Sequence, residues 1–137
     1  MRPQNIAITV DTVIFYKIDK ALKLLLIQRK NSPFKEKWAL PGGFLEEDET
    51  LVNAAARELE EETGLTNVNL IQMEAYGAID RDPRGRTISI AFMGLLDKEE
   101  IVAGADDAMN ARWFDIRNLP ELAFDHAEIV DAALSRL

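Results

Sequence analysis

Three carboxylates, Glu58, Glu61 and Glu62, sit within five residues of one another, in a stretch that also holds Glu60 and follows the acidic run Glu46–Glu49. Their spacing suits a hard divalent cation, because Mg²⁺ takes oxygen ligands and is commonly held by a few carboxylates together with substrate phosphates. A second set of residues carries the opposite charge. Arg81, Arg84 and Arg86 form a basic island in a protein of net charge −8, and Arg29 with Lys30 ends an apolar run. Guanidinium forks suit phosphate recognition. Carboxylates suited to a cation and arginines suited to phosphate leave room for a small anionic ligand that metal or local arginines neutralise.

The glutamates need a helix to bring them together, and both ends of one are marked. Thr50 is placed to cap the first turn and Gly64 to close the last in the left-handed conformation, which predicts a helix over Leu51–Thr63. At about 100° per residue from Leu51, Ala55, Leu59, Val52 and Ala56 fall at about 40, 80, 100 and 140°, and Ala54 at about 300°. Glu58 and Glu62 fall at about 340 and 20°, interrupting this apolar side, with Glu61 on the flank at about 280°. Only Glu60, at about 180°, lies where a solubilising glutamate belongs. Like charges three and four apart cost ~0.2–0.5 kcal/mol each, and carboxylates in the last turns oppose the helix dipole. A cation would offset both. The competing reading is a solvated helix in which Arg57 pairs with Glu61.

The remaining elements follow from patterning. Ile6–Tyr16 and Leu22–Gln28 read as strands paired antiparallel through a turn at Asp19 and Lys20. Asn69–Ile79 and Thr87–Leu96 read as two more, joined through Asp82-Pro83-Arg84-Gly85, a sequence suited to a type I turn. Asp97–Asn110 is polar and reads as a loop, Ala111–Ile116 as a short strand, and the last helix begins at Leu122 or Asp125. Trp38 reads as core packing. His126, the one histidine, reads as structural, at a helix start that Asp125 would cap. The expected class is α+β, one domain over residues 1–137, with a central mixed sheet.

Gly43, Glu49, Arg57, Glu58, Leu59, Glu61, Glu62, Gly64 and Leu65 reproduce the pattern G-x5-E-x7-R-E-U-x-E-E-x-G-U, with U a bulky aliphatic residue, at every specified position. The chain therefore resembles the Nudix hydrolases. That resemblance implies an α/β/α sandwich, Glu58, Glu61 and Glu62 as metal ligands with Mg²⁺ (or Mn²⁺ in its place), and a carbonyl from Gly42 in the metal shell. It implies that Arg57 and Glu49 hold one another. A further carboxylate serves as general base in many relatives, for which Glu99, Glu100, Asp106 and Asp107 are the candidates here. The stretches Arg81–Phe92 and Leu122–His126 resemble ADP-ribose pyrophosphatases and the Nudix domains of NAD- and sugar-related regulators. The implied reaction cleaves the pyrophosphate of a nucleoside diphosphate linked to another moiety, with ADP-ribose to AMP and ribose 5-phosphate as the leading case. Arg29, Arg81, Arg84 and Arg86 are its candidate substrate contacts. A ligand-sensing domain of a transcriptional regulator and a nucleoside triphosphate cleanup enzyme are the alternatives, and a homodimer is the assembly that relatives suggest.

Composition sets outer limits. With 137 residues, 47% hydrophobic and 29% charged, the chain can build a core of its own. The absence of cysteine excludes disulfides, thiolate metal sites and cysteine nucleophiles, and fits a cytoplasmic protein. The acidic balance argues against nucleic acid as a partner of this domain. No apolar run approaches the ~20 residues that a membrane span requires.

Overall fold

A computed structural model describes residues 3–104 and 108–137. The elements in chain order are β1 (Ala7–Ile18), β2 (Ala21–Arg29), β3 (Trp38–Ala39), β4 (Gly42–Phe44), α1 (Leu51–Thr63), β5 (Ile71–Tyr76), β6 (Thr87–Leu96), β7 (Ala108–Asp115), a short 3₁₀ turn (Ile116–Asn118) and α2 (His126–Leu134). Among the described residues seven strands form one mixed sheet ordered β3-β2-β1-β6-β5, with β4 also on β1 and β7 on β2. β1 and β6 run parallel over ten paired positions, from Ala7 opposite Thr87 to Tyr16 opposite Leu96. The other ladders are antiparallel.

Each face of the sheet is covered by one helix because the central strands are apolar on both sides, as strands buried on two faces must be. Val10 packs with Ala54, Ala55 and Phe92, and Ile14 and Leu25 with Leu59 and Leu65, on the side of α1. Val13, Phe15, Leu24 and Leu26 pack with Ile129, Val130 and Ala133 on the side of α2. Alternate residues of β1 thus serve opposite layers, which is the period of a strand. The result is the expected α/β/α sandwich. Trp38 packs against the α2-side cluster and meets Phe114 edge-on at 4.8 Å between ring centroids, as a core residue.

The feature that makes room for a site is a divergence in the sheet. β1 and β2 pair only near their hairpin, from Ile18 opposite Ala21 to Phe15 opposite Leu24. Beyond this point β1 pairs with β4, and β2 pairs with β3 on one edge and β7 on the other. The wedge between them is filled by the Leu40–Pro41 link, whose Pro41 carbonyl accepts from both the Thr12 backbone N–H, at 2.8 Å, and its hydroxyl, at 3.0 Å.

The larger departures from expectation are two strand boundaries and one cap. The strand expected over Asn69–Ile79 is Ile71–Tyr76, with a register shift between Gln72 and Ala75. It stops there because the carbonyls of Gly77 and Ala78 accept from the Arg86 guanidinium, at 2.7 and 3.2 Å. β7 begins at Ala108, inside the expected loop, because the edge of β2 offers ladder partners as far as Arg29. Asp125 does occupy the N-cap position of α2, but its carboxylate makes no capping bond; Arg81 takes it instead. Among the described residues no helix is long and apolar enough to cross a membrane.

Candidate functional site

Helix α1 is capped as its ends predict: Thr50 accepts from the Asn53 N–H at 3.3 Å, and Gly64 adopts φ 82°. Its buried residues are Ala54, Ala55, Leu59, Glu62 and Thr63, whereas Val52 is 44% exposed. The buried arc is therefore centred close to Glu62, and the glutamates do not so much interrupt the apolar stripe as form its middle. Glu62 is 5% exposed and its Oε1 accepts from the Gly42 N–H at 2.7 Å. Glu58, one turn earlier, reaches Gly43, where a Cβ would lie 2.5 Å from the Glu58 carboxyl carbon. Only glycine permits that approach. At Gly42 a Cβ would likewise run into the Val10 carbonyl oxygen and Asp11.

Arg57 ties this helix to the loop before it. Its Nε and Nη2 donate to the two oxygens of Glu49, at 2.9 and 2.6 Å, and Nη2 also reaches the Phe44 carbonyl at 3.1 Å. Its Nη1 donates to Glu58 Oε1 at 2.9 Å and to Glu61 Oε2 at 3.2 Å. The Arg57 hydrogen bond, followed by the Glu46 backbone N–H, pulls Glu49 down to about 2. A forked arginine–carboxylate pair of this kind fixes geometry as well as charge.

These groups open on a cleft of about 340 Å³ at the divergence of β1 and β2, within the usual range for a small-molecule site. Glu58, Glu62, Gly42, Gly43 and Glu46 line one end, and Arg29, Arg81, Asp82, Arg84, Phe124, Asp11 and His126 line the rest. Arg81 is no solvated hairpin tip: its side chain is 3% exposed and donates through Nε and Nη2 to both oxygens of Asp125, at 2.9 and 2.6 Å. Arg84 pairs with Asp82 at 2.8 Å but is 41% exposed, with its guanidinium carbon 5.0 Å from the Phe44 ring centroid and 5.6 Å from that of Phe124. The expected turn is present, with the Gly85 N–H donating to the Asp82 carbonyl at 3.3 Å. Arg29 lies 5.0 Å from the Phe124 centroid and donates to the Pro33 carbonyl at 2.7 Å. Phe124 has φ 53°, a conformation rare for a bulky residue and one that accumulates at functional sites.

Not every candidate comes to this cleft. Glu61 turns to Arg57 and its side chain is 44% exposed, outside the cleft lining. Arg86 braces the end of β5 and does not line the cleft either. Glu99 hydrogen-bonds Tyr16, which lies about 16 Å along β1 from Asp11 at ~3.3 Å per residue. The Glu100 carbonyl accepts from Trp113 Nε1 at 2.9 Å, so both glutamates belong to the far end of the sheet. Asp106 and Asp107 lie outside the described residues. Sequence reading did not single out Asp11, Phe124 or Asp125 for the site, and it assigned His126 to structure. The available signals were Asp11, an acidic residue inside the apolar run of β1, and the resemblance carried by Leu122–His126, to which no role was assigned.

Among the described residues no group of three or more His, Asp or Glu is gathered as a metal site. Two carboxylates from successive turns of α1, Glu58 and Glu62, do face the cleft together. Mg²⁺ keeps waters and substrate phosphates in its shell and takes few ligands from protein, so this donor set fits a cation shared with a phosphate ligand rather than a closed structural site.

A mixed sheet lies between two helices, and two glutamates of α1 share one cleft with three arginines. The NUDIX domain family model matches residues 8–133, and the chain belongs to the Nudix family. It is 49% identical over 124 residues to the ADP-ribose pyrophosphatase of Methanocaldococcus jannaschii, an overlap covering 90% of this chain and 70% of that protein. It is 37% identical over 133 residues to the ADPR responsive transcriptional repressor NtrR of Acinetobacter baylyi, covering 94% of this chain and 53% of the repressor. The solved NUDIX domain of Shewanella oneidensis NrtR complexed with ADP ribose superposes with a TM-score of 0.89 at 32% identity, covering 97% of this chain and 89% of that one.

Proposed function

We propose that this chain is a pyrophosphohydrolase that cleaves ADP-ribose to AMP and ribose 5-phosphate with a divalent cation. The observation that carries the reading is the shared cleft, in which Glu58 and Glu62 face the same space as Arg29, Arg81 and Arg84. A diphosphate brings two negative charges to be neutralised, and carboxylates alone would repel it. Glu58 and Glu62 would hold the cation, Mg²⁺ by expectation and Mn²⁺ in its place, which when bound screens the phosphoryl oxygens and lowers the pKa of a water. Arg57 restrains Glu58, and Glu49 restrains Arg57. Arg84, more exposed than Arg81, is the arginine best placed to move onto an incoming phosphate. In the reaction the water oxygen bonds to phosphorus as the bridging P–O bond breaks, and the water's proton passes to a cleft carboxylate and on to solvent. Glu99 and Glu100 are too far along the sheet for that task.

The likeness to an ADP-ribose pyrophosphatase over most of both chains supports the substrate. The likeness to an ADPR responsive repressor supports a second reading, in which the same ligand is bound without being cleaved. The complete set of helix glutamates favours hydrolysis. A cytoplasmic homodimer that makes no nucleic-acid contact through this domain accompanies the proposal, in keeping with the net charge of −8. The test is product analysis: ADP-ribose incubated with the protein and Mg²⁺ should give AMP and ribose 5-phosphate in equal amounts. Glu62→Gln should remove turnover while leaving the melting transition in place. Tight ADP-ribose binding without products in the wild type would establish the sensor reading instead.

A further inference from the structure

Part of the cleft wall is apolar. Ile27 and Ala39 face each other across β2 and β3 and pack in one cluster with Ala123 and Phe124. Ile27, Ala39, Leu40 and Phe124 all line the cleft. The Asp11 carboxylate also lines the cleft, beside Gly42. Asp11 is 6% exposed and paired across the ladder with Gly42. Its Oδ2 accepts from the Ser89 hydroxyl. Its Oδ1 is directed to the Gly42 side, 2.5 Å from where a Cβ there would lie, and is 3.5 Å from His126 Nε2.

His126 is fixed in one tautomer. Its Nδ1 accepts from the Leu40 N–H at 3.0 Å, so the neutral ring carries its proton on Nε2, facing Asp11. Complete burial favours that neutral form against the pull of Asp11 and Asp125. Asp11 is thus held from two sides, by Ser89 and His126, and the positive charge of Arg81 lies close enough to interact with it. Burying a carboxylate is costly, and the cation-binding pair Glu58 and Glu62 does not include this one.

We propose that Asp11 is a specificity-determining residue, its Oδ1 accepting a hydrogen bond from the exocyclic amino group of the substrate's nucleobase, so that the cleft selects adenine over the 6-oxo base hypoxanthine. The inference rests on the ADP-ribose reading above. A ribose diol is a poorer fit, because a carboxylate grips two hydroxyls with two oxygens and Oδ2 is already taken by Ser89. A sugar would also set unpaired hydroxyls against Ile27 and Ala39, whereas a base offers these walls its apolar faces. A 6-oxo group would bring a second acceptor against Oδ1 with no proton between them.

The experiment compares kcat/KM for ADP-ribose and for inosine 5′-diphosphoribose, which differ at the 6-substituent and in the proton that hypoxanthine carries on N1. The wild type should prefer ADP-ribose by about 10- to 100-fold, the worth of one buried hydrogen bond lost to repulsion. In Asp11→Asn the amide oxygen stays with the Ser89 hydroxyl and the NH2 takes the place of Oδ1, where it no longer accepts from an amino group, so the ratio should fall to about unity or below, chiefly through KM for ADP-ribose. A wild-type ratio near one overturns the proposal without any variant, and so does a preference that survives in folded Asp11→Asn. If the wild type cleaves neither compound, the hydrolase reading fails, but calorimetric binding of the two ligands still decides. An adenine preference that Asp11→Asn removes supports the assignment, and equal affinities overturn it.

Discussion

Arg81 and Arg84 are near neighbours in sequence and in the cleft, yet they should respond to the same substitution in opposite ways. The Arg81 side chain is 3% exposed and grips both oxygens of Asp125, which is itself 14% exposed. Removing one partner of a buried pair costs about 3–5 kcal/mol, mainly because the other charge is left behind. The partial exposure of Asp125 places Arg81→Gln at the lower end, ~3 kcal/mol. With an unfolding entropy of ~2.1 cal/mol/K per residue, 137 residues lose about 0.3 kcal/mol per degree near Tm, so the melting temperature should fall by ~10 °C. Arg84 is 41% exposed while its partner Asp82 is 3% exposed, but Asp82 keeps the Arg84 backbone N–H at 2.9 Å and the nearby charge of Arg81, so Arg84→Gln should cost only about 1 kcal/mol and shift Tm by ~3 °C. Its cost should appear in KM for ADP-ribose. Thermal unfolding followed by circular dichroism, with Arg81→Gln, Asp125→Asn and the double variant, separates the terms. The double variant should be less destabilised than the sum of the two single ones, because neither charge is then left unpaired. Equal small shifts for Arg81→Gln and Arg84→Gln would refute the distinction drawn between them.

Gly43→Ala would drive a methyl group into the Glu58 carboxylate; the Mg²⁺ concentration for half-maximal turnover should rise about 10- to 100-fold, the range for disturbing the support of a metal ligand. A metal titration that matches the wild type would remove Glu58 from the proposed cation site. His126 supplies a pH dependence. Burial, its largest influence, lowers its pKa below the ordinary value of about 6.5. The unfolded chain then binds the proton more readily than the folded one, so the stability from this residue is complete above about 6.5 and declines as pH falls below it. Tm measured between pH 8 and 5 should drop on the acid side of 6.5 in the wild type, and His126→Gln should lack that component. A Tm that stays level through this window in the wild type would refute the buried, neutral assignment.

Much of the architecture was legible because it is local. Thr50 and Gly64 delimit α1 by chemistry confined to its own ends, and Thr87–Leu96 is a strand by composition alone. The boundaries that moved were set by groups distant in sequence. β5 ends where Arg86 claims its carbonyls, and β7 starts early because β2 has an unpaired edge to fill. Patterning registers which face of an element is apolar, but not which neighbour arrives to pair with it. The wheel for α1 shows the limit: it placed Glu58 and Glu62 on the right side, yet it counted Val52 and Ala56 as buried, and both are exposed. The buried arc turns toward Glu62 because the sheet and Gly42 lie there.

The same contrast divides the site. Its cation-binding end is written in one helix and the loop before it, so residue spacing suffices to find it, and the arginine clamp from Arg57 to Glu49 lies within that span. The other end is assembled where β1 and β2 part, from Asp11 on β1, Ile27 on β2, Ala39 on β3, Ser89 on β6 and His126 on α2. No spacing rule joins these positions, and each has an ordinary reading when taken alone. Asp125 shows how such a reading goes astray: a residue at a helix start is read as a cap, but the buried Arg81 claims its carboxylate more strongly than a backbone N–H does. Charge-assisted, bidentate bonds are roughly twice as strong as neutral ones. Reaction chemistry depends on a few groups held by a short segment, while ligand selection depends on a surface that several segments must enclose. Substitutions that redirect selectivity should therefore fall on β1, β3 and α2, and those that abolish turnover on α1 and its preceding loop.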